Sequence, residues 1–279
     1  MQEMILMMNE NPDGILRAPW RYDTEPFEVV KDVYYVGNTS VSSHLFDTGE
    51  GLLLLDTAYQ QTTYLLLESI RTLGFDPRDI RWILHTHAHI DHIGATRYLV
   101  EKYGCKTYLP AADLPLMKEK SELNYVASHH QAYDPPHDCY FETDVALQPG
   151  DVLTFGRIRV ECHDAAGHTP GTMAYVFHLP SGLKAVMHGG IGLNTLASSY
   201  IRRYGLDDSW RSAYAASLER LRSLEADVVL GNHPHQADVF GKQARKTAEH
   251  NPFVDAAEWG RFLARTKERF EKMLVEDPL

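Results

Sequence analysis

Residues 86–94 have the sequence THAHIDHIG, which places three histidines and one aspartate within six positions. These residues are His87, His89, Asp91 and His92. Imidazole and carboxylate groups at this spacing are typical of a metal site, and they suit zinc better than manganese or iron. The chain has 15 histidines, so a set of exposed polar loop residues is the alternative. We favour the metal site because four ligand side chains so close together are rare in an ordinary loop.

Two later turns supply further candidate ligands. His168 lies in AAGHTPGT, directly after the β-rich run RIRVECHDA, and Gly167 and Gly171 permit a tight backbone around it. His233 lies in VVLGNHPH, directly after an apolar run. His235 competes with His233, which we prefer because it comes first after the strand. If two ions bind, each needs a ligand from outside residues 86–94, and these two turns are the candidates.

Other polar residues near these segments have more than one interpretation. Asp56 ends the apolar run LLLLD, and it either accepts a hydrogen bond from a ligating imidazole or ends the strand structurally. His188 precedes a pair of glycines and is a candidate contact to substrate or to a metal ligand. His85 is expected to support the site or to pack in the core. Residues 121–136 are irregular and form a candidate active-site loop. Its candidate pocket residues are Tyr125, His129, His130 and Tyr133.

The first half of the chain alternates between strands and helices, and these elements must position the candidate ligands of residues 87–92. Residues 27–57 contain three β-rich runs, which predicts an antiparallel meander whose last strand is buried on both faces. Apolar spacing and terminal glycines predict helices at 62–73 and 95–103, with a buried strand at 81–84 between them. A further strand is predicted at 106–109, and a short helix at 114–120.

A second β-rich half follows, and it must carry the two later histidines. Its predicted strands are DVLTF, RIRVECHDA, TMAYVFHL and KAVMHG. A helix at 208–224 then leads to the apolar strand DVVLG. The last segment, residues 254–274, is predicted to be an amphipathic helix that caps the core or meets a partner chain, the latter giving a homo-oligomer.

Length and composition narrow the class of protein. No linker rich in Pro, Gly or Ser divides the 279 residues, so we expect an N-terminal extension at 1–25 and a single domain at 26–279 that includes the C-terminal helix. The net charge of −11 argues against nucleic-acid binding and favours a small-molecule substrate. No segment predicts a membrane span or a signal peptide, so a cytoplasmic protein without membrane contact is expected. Without a CxxC motif, buried thiols are expected at Cys105, Cys139 and Cys162.

Taken in order, the LLLLDT strand, THAHIDH, the AGHTPG turn and a late histidine after an apolar strand resemble the metallo-β-lactamase superfamily. The resemblance extends from about Val29 to about Pro234. It implies an α/β fold, the four-layer αββα sandwich, with metals at one edge of the paired sheets. It also implies two zinc ions. The first would be bound by His87, His89 and His168, and the second by Asp91, His92 and His233.

The segment AVMHGGIGL distinguishes this chain from many members of the superfamily. Gly190 stands where hydrolases of the glyoxalase, lactonase and RNA-processing kinds have an aspartate that bridges the two metals. The absence of this bridge resembles the third subclass of metallo-β-lactamases. That subclass usually has serines at and near this position to meet the substrate carboxylate, whereas this chain has Gly190, Ile191 and Gly192.

The resemblance implies a zinc-dependent hydrolase that opens a cyclic amide or ester, of the β-lactam type, by attack of a metal-bound hydroxide. Asp91 would both bind metal and orient the hydroxide. A cytosolic lactonase or thioesterase is the alternative within the same chemistry. A di-iron oxidoreductase on the same scaffold is disfavoured because the chain lacks an obvious bridging carboxylate and a flavin-binding segment. A non-catalytic binding protein is disfavoured because every ligand position is filled.

Overall fold

The computed structural model describes residues 14–120, 123 and 140–279. The candidate loop residues Tyr125, His129, His130 and Tyr133 lie outside the described residues, as does Cys139. Cys105 and Cys162 are buried free thiols, as expected.

The first sheet has seven strands in sequential order. The first four pair antiparallel, and the fourth to the seventh pair parallel. The predicted meander is therefore present, but its first run is two strands, because Asp32 adopts a left-handed backbone (φ 67°) that turns the chain. The strands are β1 Phe27–Val30, β2 Val33–Tyr35, β3 His44–Asp47, β4 Leu52–Leu55, β5 Ile80–Leu84, β6 Lys106–Pro110 and β7 Val145–Leu147.

The second sheet has five strands, in the order β12-β11-β10-β9-β8. Its first four strands in sequence form an antiparallel ladder, and the last strand pairs parallel to β11 at the opposite edge. The five runs predicted for this half are all strands. They are β8 Val152–Phe155, β9 Ile158–Asp164, β10 Met173–His178, β11 Lys184–His188 and β12 Val228–Gly231.

Nine α-helices lie in the described part of the chain. The predicted helix at 208–224 ends as an α-helix at Arg220 and continues as one 3-10 turn, Leu221–Ser223. Four short helices, the first, third, sixth and eighth, were not predicted, and neither was β7. The helices are α1 Gly14–Arg17, α2 Thr63–Thr72, α3 Ile90–Ile93, α4 Thr96–Tyr103, α5 Leu114–Lys118, α6 Ser198–Arg203, α7 Ser209–Arg220, α8 Val239–Arg245 and α9 Glu258–Glu276.

Strand β4 lies in the middle of the layered core, buried on both faces as its unbroken apolar run predicts. Leu53 and Leu55 belong to the cluster between the two sheets, where Phe46 of β3 stacks on Phe177 of β10 with ring centroids 4.5 Å apart. On the other face of β4, Leu54 packs with residues of α2 and α4. The architecture is the four-layer arrangement of helices, two sheets and helices.

The C-terminal helix α9 covers the second sheet. Trp259, Phe262, Leu263 and Phe270 are buried at helical spacing in the core cluster, and Trp259 Nε1 donates to the carbonyl of Leu221 at 3.0 Å. The apolar face of α9 therefore caps the core, and a homo-oligomer through this helix stays a prediction. Within the described residues, none of the helices has the length and apolar content needed to cross a membrane.

Candidate metal centre

The chain segments that follow strand ends in both sheets carry the candidate ligands. His87 and His89 follow β5, and Asp91 and His92 lie in α3, the single helical turn that comes next. His168 lies in the turn between β9 and β10, and His233 follows β12. The fold brings these six side chains together as two groups, and in each group the ligand atoms lie within 4.8 Å of one another. We call His87, His89 and His168 the three-histidine group, and Asp91, His92 and His233 the aspartate group.

The three-histidine group has the geometry of a metal site. His89 Nδ1 lies 3.0 Å from His87 Nε2 and 3.0 Å from His168 Nε2. Three nitrogens bound to one tetrahedral zinc at about 2.0 Å would lie about 3.3 Å apart, close to these separations. All three side chains are buried, so few other groups can take the ligand positions.

Hydrogen bonds on the outer nitrogens fix which nitrogen faces inward. His168 Nδ1 donates to the carbonyl of Gly192 at 2.9 Å, which leaves Nε2 as the lone-pair atom. His87 Nδ1 lies 3.0 Å from Thr86 Oγ1, and this hydroxyl already donates to Asp56 at 2.8 Å. The imidazole of His87 must therefore be the donor, and its Nε2 is also free to bind a metal.

The aspartate group is arranged in the same way. Asp91 Oδ2 lies 3.4 Å from His92 Nε2 and 3.5 Å from His233 Nε2. His92 Nδ1 donates to Asp56 Oδ2 at 2.9 Å, and His233 Nδ1 donates to the carbonyl of Ser40 at 2.8 Å. Both Nε2 atoms are therefore directed to the side of Asp91, as ligands of a shared ion would be.

Charge within the two groups favours a bound cation. Burial, together with the neighbouring imidazoles, holds the pKa of His87 and His168 well below the usual value. These rings are therefore neutral and can each donate a lone pair to a metal ion. Burial alone would lower the pKa of His92, but the carboxylates of Asp91 and Asp56 outweigh it and raise this pKa to about 10. A proton on His92 then supplies positive charge between two carboxylates, and a metal ion would supply it instead.

One buried ligand atom, Asp91 Oδ1, lacks a hydrogen-bond partner among the described residues. Buried polar atoms without a partner are rare and usually mark an unfilled interaction. Asp91 stays ionised, since His92 and His233 beside it outweigh burial and hold its pKa below the usual value. A metal ion or a bound water is the partner that such a carboxylate oxygen would accept.

Asp56 lies directly behind both groups. Besides His92 and the Thr86 hydroxyl, it accepts the Thr86 backbone N–H at 2.8 Å through Oδ1. Its backbone is left-handed (φ 57°), a conformation that costs free energy in a residue other than glycine. The carboxylate thus holds His92 directly and His87 through Thr86.

The other candidate histidines do not join either group. His188 is fully buried beside Trp259 and Phe262 of α9, with ring centroids 6.5 and 6.3 Å away, and its Nδ1 accepts the Gly190 N–H at 3.2 Å. His235 has its ring 5.8 Å from that of His233 and is exposed. His85 packs in the core, where its Nδ1 and Nε2 each lie 2.8 Å from an oxygen atom, one in β6 and one in α4.

A residue that the sequence analysis missed, Asp113, lies between the loops of the three-histidine group. It is completely buried and accepts three hydrogen bonds, from Ala88 N, Thr169 Oγ1 and Gly171 N. In the sequence, Asp113 stands before Leu-Pro and has the pattern of a helix start. Only its partners, distant along the chain, reveal its position.

The glycines near residue 190 fit closely around His168. A Cβ atom on Gly190 would lie 2.5 Å from His168 Cδ2, and one on Gly192 would lie 2.9 Å from His168 Cε1. A serine at either position would therefore displace the imidazole unless the backbone moved. This close packing leaves no free space for a side chain at Gly190 or Gly192.

Comparison with known proteins decides the family. The sequence profile of the metallo-beta-lactamase superfamily matches residues 36–183. The chain belongs to this superfamily. Its fold is the metallo-β-lactamase fold, and it is a metal-dependent hydrolase.

Among solved structures, this chain is similar in fold and sequence to metallo-beta-lactamases of subclass B3. BJP-1, a subclass B3 metallo-beta-lactamase of Bradyrhizobium japonicum, is 26% identical with a TM-score of 0.81, and the match covers 93% of this chain and 97% of that chain. A point mutant of FEZ-1, the metallo-beta-lactamase from Legionella gormanii, is 25% identical with a TM-score of 0.78, covering 91% and 97%. By sequence, the probable metallo-hydrolase YqgX of Bacillus subtilis is 27% identical over 184 residues, which are 62% of this chain and 75% of that protein.

Proposed function

We propose that this metal-dependent hydrolase holds two zinc ions and opens a cyclic amide or ester of the β-lactam type in a small molecule. The observation that carries the proposal is the pair of adjacent three-ligand groups, whose inward atoms are fixed by hydrogen bonds on the outer nitrogens. Likeness to subclass B3 enzymes supports the lactam-type substrate.

In this proposal, one zinc is bound by His87, His89 and His168, and the other by Asp91, His92 and His233. Five imidazoles and one carboxylate form a donor set typical of zinc, whereas di-iron sites are richer in carboxylates. Gly190 offers no bridging carboxylate, so each ion would be held by the three ligands of its own group. The two groups take their last ligand from different turns of the second sheet.

Zinc in such a site lowers the pKa of water to about 7 and polarises a substrate carbonyl. The residues then have distinct tasks. Asp91 Oδ1, buried without a partner among the described residues, accepts a hydrogen bond from the attacking water and orients it. Asp56 keeps His92 in the tautomer that presents Nε2. His233, whose side chain is 24% exposed, forms the part of the aspartate group that substrate can approach.

A lactone or thioester is the second candidate substrate, favoured by one observation. Gly190 and Gly192 pack against His168, so serines that would meet a lactam carboxylate have no room there. A substrate that lacks a carboxylate next to the scissile bond does not need them. The same attack on a carbonyl would open it.

The test begins with zinc, iron and manganese content in protein purified without added metal. The same sample is then assayed against nitrocefin, a panel of lactones and a panel of thioesters. We expect two equivalents of zinc and turnover of nitrocefin. As a control for adventitious binding, His250→Ala removes an exposed histidine outside both groups and should change neither result. Iron in place of zinc, or no turnover of any lactam at high enzyme concentration, would contradict the corresponding part of the proposal.

A further inference from the structure

We infer that Asp113 is a positioning residue that holds the two loops of the three-histidine group together and thereby sets the affinity of that group for zinc. The inference rests on the proposed function, because it assumes that this group binds zinc. Asp113 forms no hydrogen bond with any of the six ligand side chains. It acts instead through two backbone N–H groups and the hydroxyl of Thr169.

Each loop is held beside its ligand. Asp113 Oδ2 accepts the N–H of Ala88, the residue between His87 and His89, at 2.9 Å. The same oxygen accepts the hydroxyl of Thr169, the residue after His168, at 2.8 Å. Asp113 Oδ1 accepts the N–H of Gly171 at 2.6 Å. One carboxylate thus connects the loop after β5 to the turn between β9 and β10, across the gap between the two sheets.

An ionised carboxylate accepts all three hydrogen bonds at once. All three partners are donors, so the NH2 group of an amide in its place would put a hydrogen against a hydrogen at one of them. Burial raises the pKa of Asp113 to about 6, while the hydrogen bonds from Thr169, Ala88 and Gly171 act against burial. Burying a charge without partners costs free energy, so the three donors stabilise this carboxylate. The carboxylate in turn holds the three donors in place.

The turn that carries His168 is built to reach Asp113. Because the Thr169 hydroxyl donates to Asp113, the Thr172 hydroxyl 2.8 Å away must donate to Thr169 Oγ1. Thr172 Oγ1 in turn accepts the Thr169 N–H at 2.9 Å, which closes the turn. A Cβ atom on Gly171 would lie 2.7 Å from Asp113 Oδ1, so the N–H of Gly171 can approach the carboxylate only because this residue is glycine.

The experiment compares Asp113→Asn with Asp144→Asn. Asp144 is a control for the hydrogen-bond pattern, since its carboxylate also accepts a backbone N–H and a hydroxyl, both from Thr107. It differs from Asp113 in being exposed and in lying away from the two ligand groups. Zinc affinities of both equivalents are measured by competition with a chromophoric chelator. Visible absorption after cobalt(II) replacement reports the coordination of each site.

We expect Asp113→Asn to bind one equivalent about 10- to 100-fold more weakly than the wild-type protein, as is common when outer hydrogen-bond partners of metal ligands are mutated. The other equivalent should keep its affinity, the cobalt spectrum should change, and excess zinc should restore kcat. Asp144→Asn should behave as the wild-type protein. If Asp113→Asn does not fold, Thr169→Val removes one of the three donors and should weaken the same equivalent by a smaller factor.

The outcomes separate the inference from the proposed function. Wild-type protein that binds no zinc would overturn both. Wild-type protein with two zinc equivalents, together with unchanged affinities in Asp113→Asn, would overturn the inference alone. Equal weakening of both equivalents, or a loss of kcat that excess zinc does not restore, would also overturn it, because either result indicates general structural damage.

Discussion

The two ligand groups differ in charge and in access. The three-histidine group consists of neutral, buried imidazoles, whereas the aspartate group contains Asp91, has Asp56 directly behind it, and has a side chain of His233 that is 24% exposed. The first group is therefore enclosed and uncharged, and the second attracts a dication more strongly but is open to solvent on one side. The difference indicates that enclosure and charge are provided by different groups in one site.

The two groups also differ in the buried carboxylate that mainly supports each of them. Asp56 holds His92 through a direct hydrogen bond, and Asp113 holds the loops of the three-histidine group through backbone and hydroxyl donors. The aspartate group is thus oriented through a side chain, and the three-histidine group through its loops. If the two groups are separate in this way, a change at one should leave the other largely unaffected.

The largest effect is expected for His89→Ala. His89 Nδ1 lies next to Nε2 of both His87 and His168, so its loss should release the zinc ion proposed for the three-histidine group. Several kcal/mol of transition-state stabilisation would go with the ion, so kcat/KM should fall on the order of 10³-fold. Zinc content and kcat/KM on the substrate found in the hydrolysis panel measure the effect. A variant that retained both zinc equivalents would show that this group is not a site.

A smaller loss is expected for His233→Ala. The aspartate group would keep Asp91 and His92, and the enclosed group would be untouched, so one zinc equivalent should be retained and kcat/KM should fall about 10²-fold. Zinc per chain after dialysis against a chelator measures this directly. If both equivalents were lost together, the two groups would be one cooperative site and the comparison would fail.

Asp56→Asn should weaken zinc at the aspartate group by about 10- to 100-fold, because His92 loses the carboxylate that fixes its tautomer. The three-histidine group should change less, since Asp56 reaches His87 only through Thr86. Competition titration of each equivalent separates the two effects. Equal weakening at both would mean that Asp56 supports the whole centre.

The smallest effect is expected for Gly190→Ala. Its Cβ would lie 2.5 Å from His168 Cδ2, and overpacking of this kind costs about 1–3 kcal/mol, so zinc at the three-histidine group should weaken about tenfold. Gly260→Ala in α9 is the control, since its Cβ would meet no atom within 4 Å. It should leave zinc binding unchanged. Unchanged binding in Gly190→Ala would show that His168 has room to move.

Local patterns were sufficient for much of the fold and part of the site. The density of ligands in residues 87–92 predicted a metal site, and the unbroken apolar run of β4 predicted a strand buried on both faces. His168 and His233 needed the order of motifs along the chain, because each turn alone is ordinary. The fold confirms the layers that this order implied.

What the sequence did not predict depends on contacts between distant residues or on very short elements. The partners of Asp113 lie 25, 56 and 58 residues away, so no local spacing could reveal its position. Strand β7 has three residues, and α6 and α8 have six and seven, which is too short for a clear periodic pattern. The turn at Asp32 depends on a left-handed backbone, which the β-rich sequence FEVVKDVYYV around it does not indicate.

Each ligand group takes its last member from the second sheet, His168 after β9 and His233 after β12. A folding chain whose first sheet has formed, but whose second sheet has not docked, therefore offers only the side chains of residues 87–92. Full coordination would become possible only when the two halves have met. A bound ion would in turn link the two sheets and slow their separation. Metal supply should therefore control the unfolding rate of the enzyme.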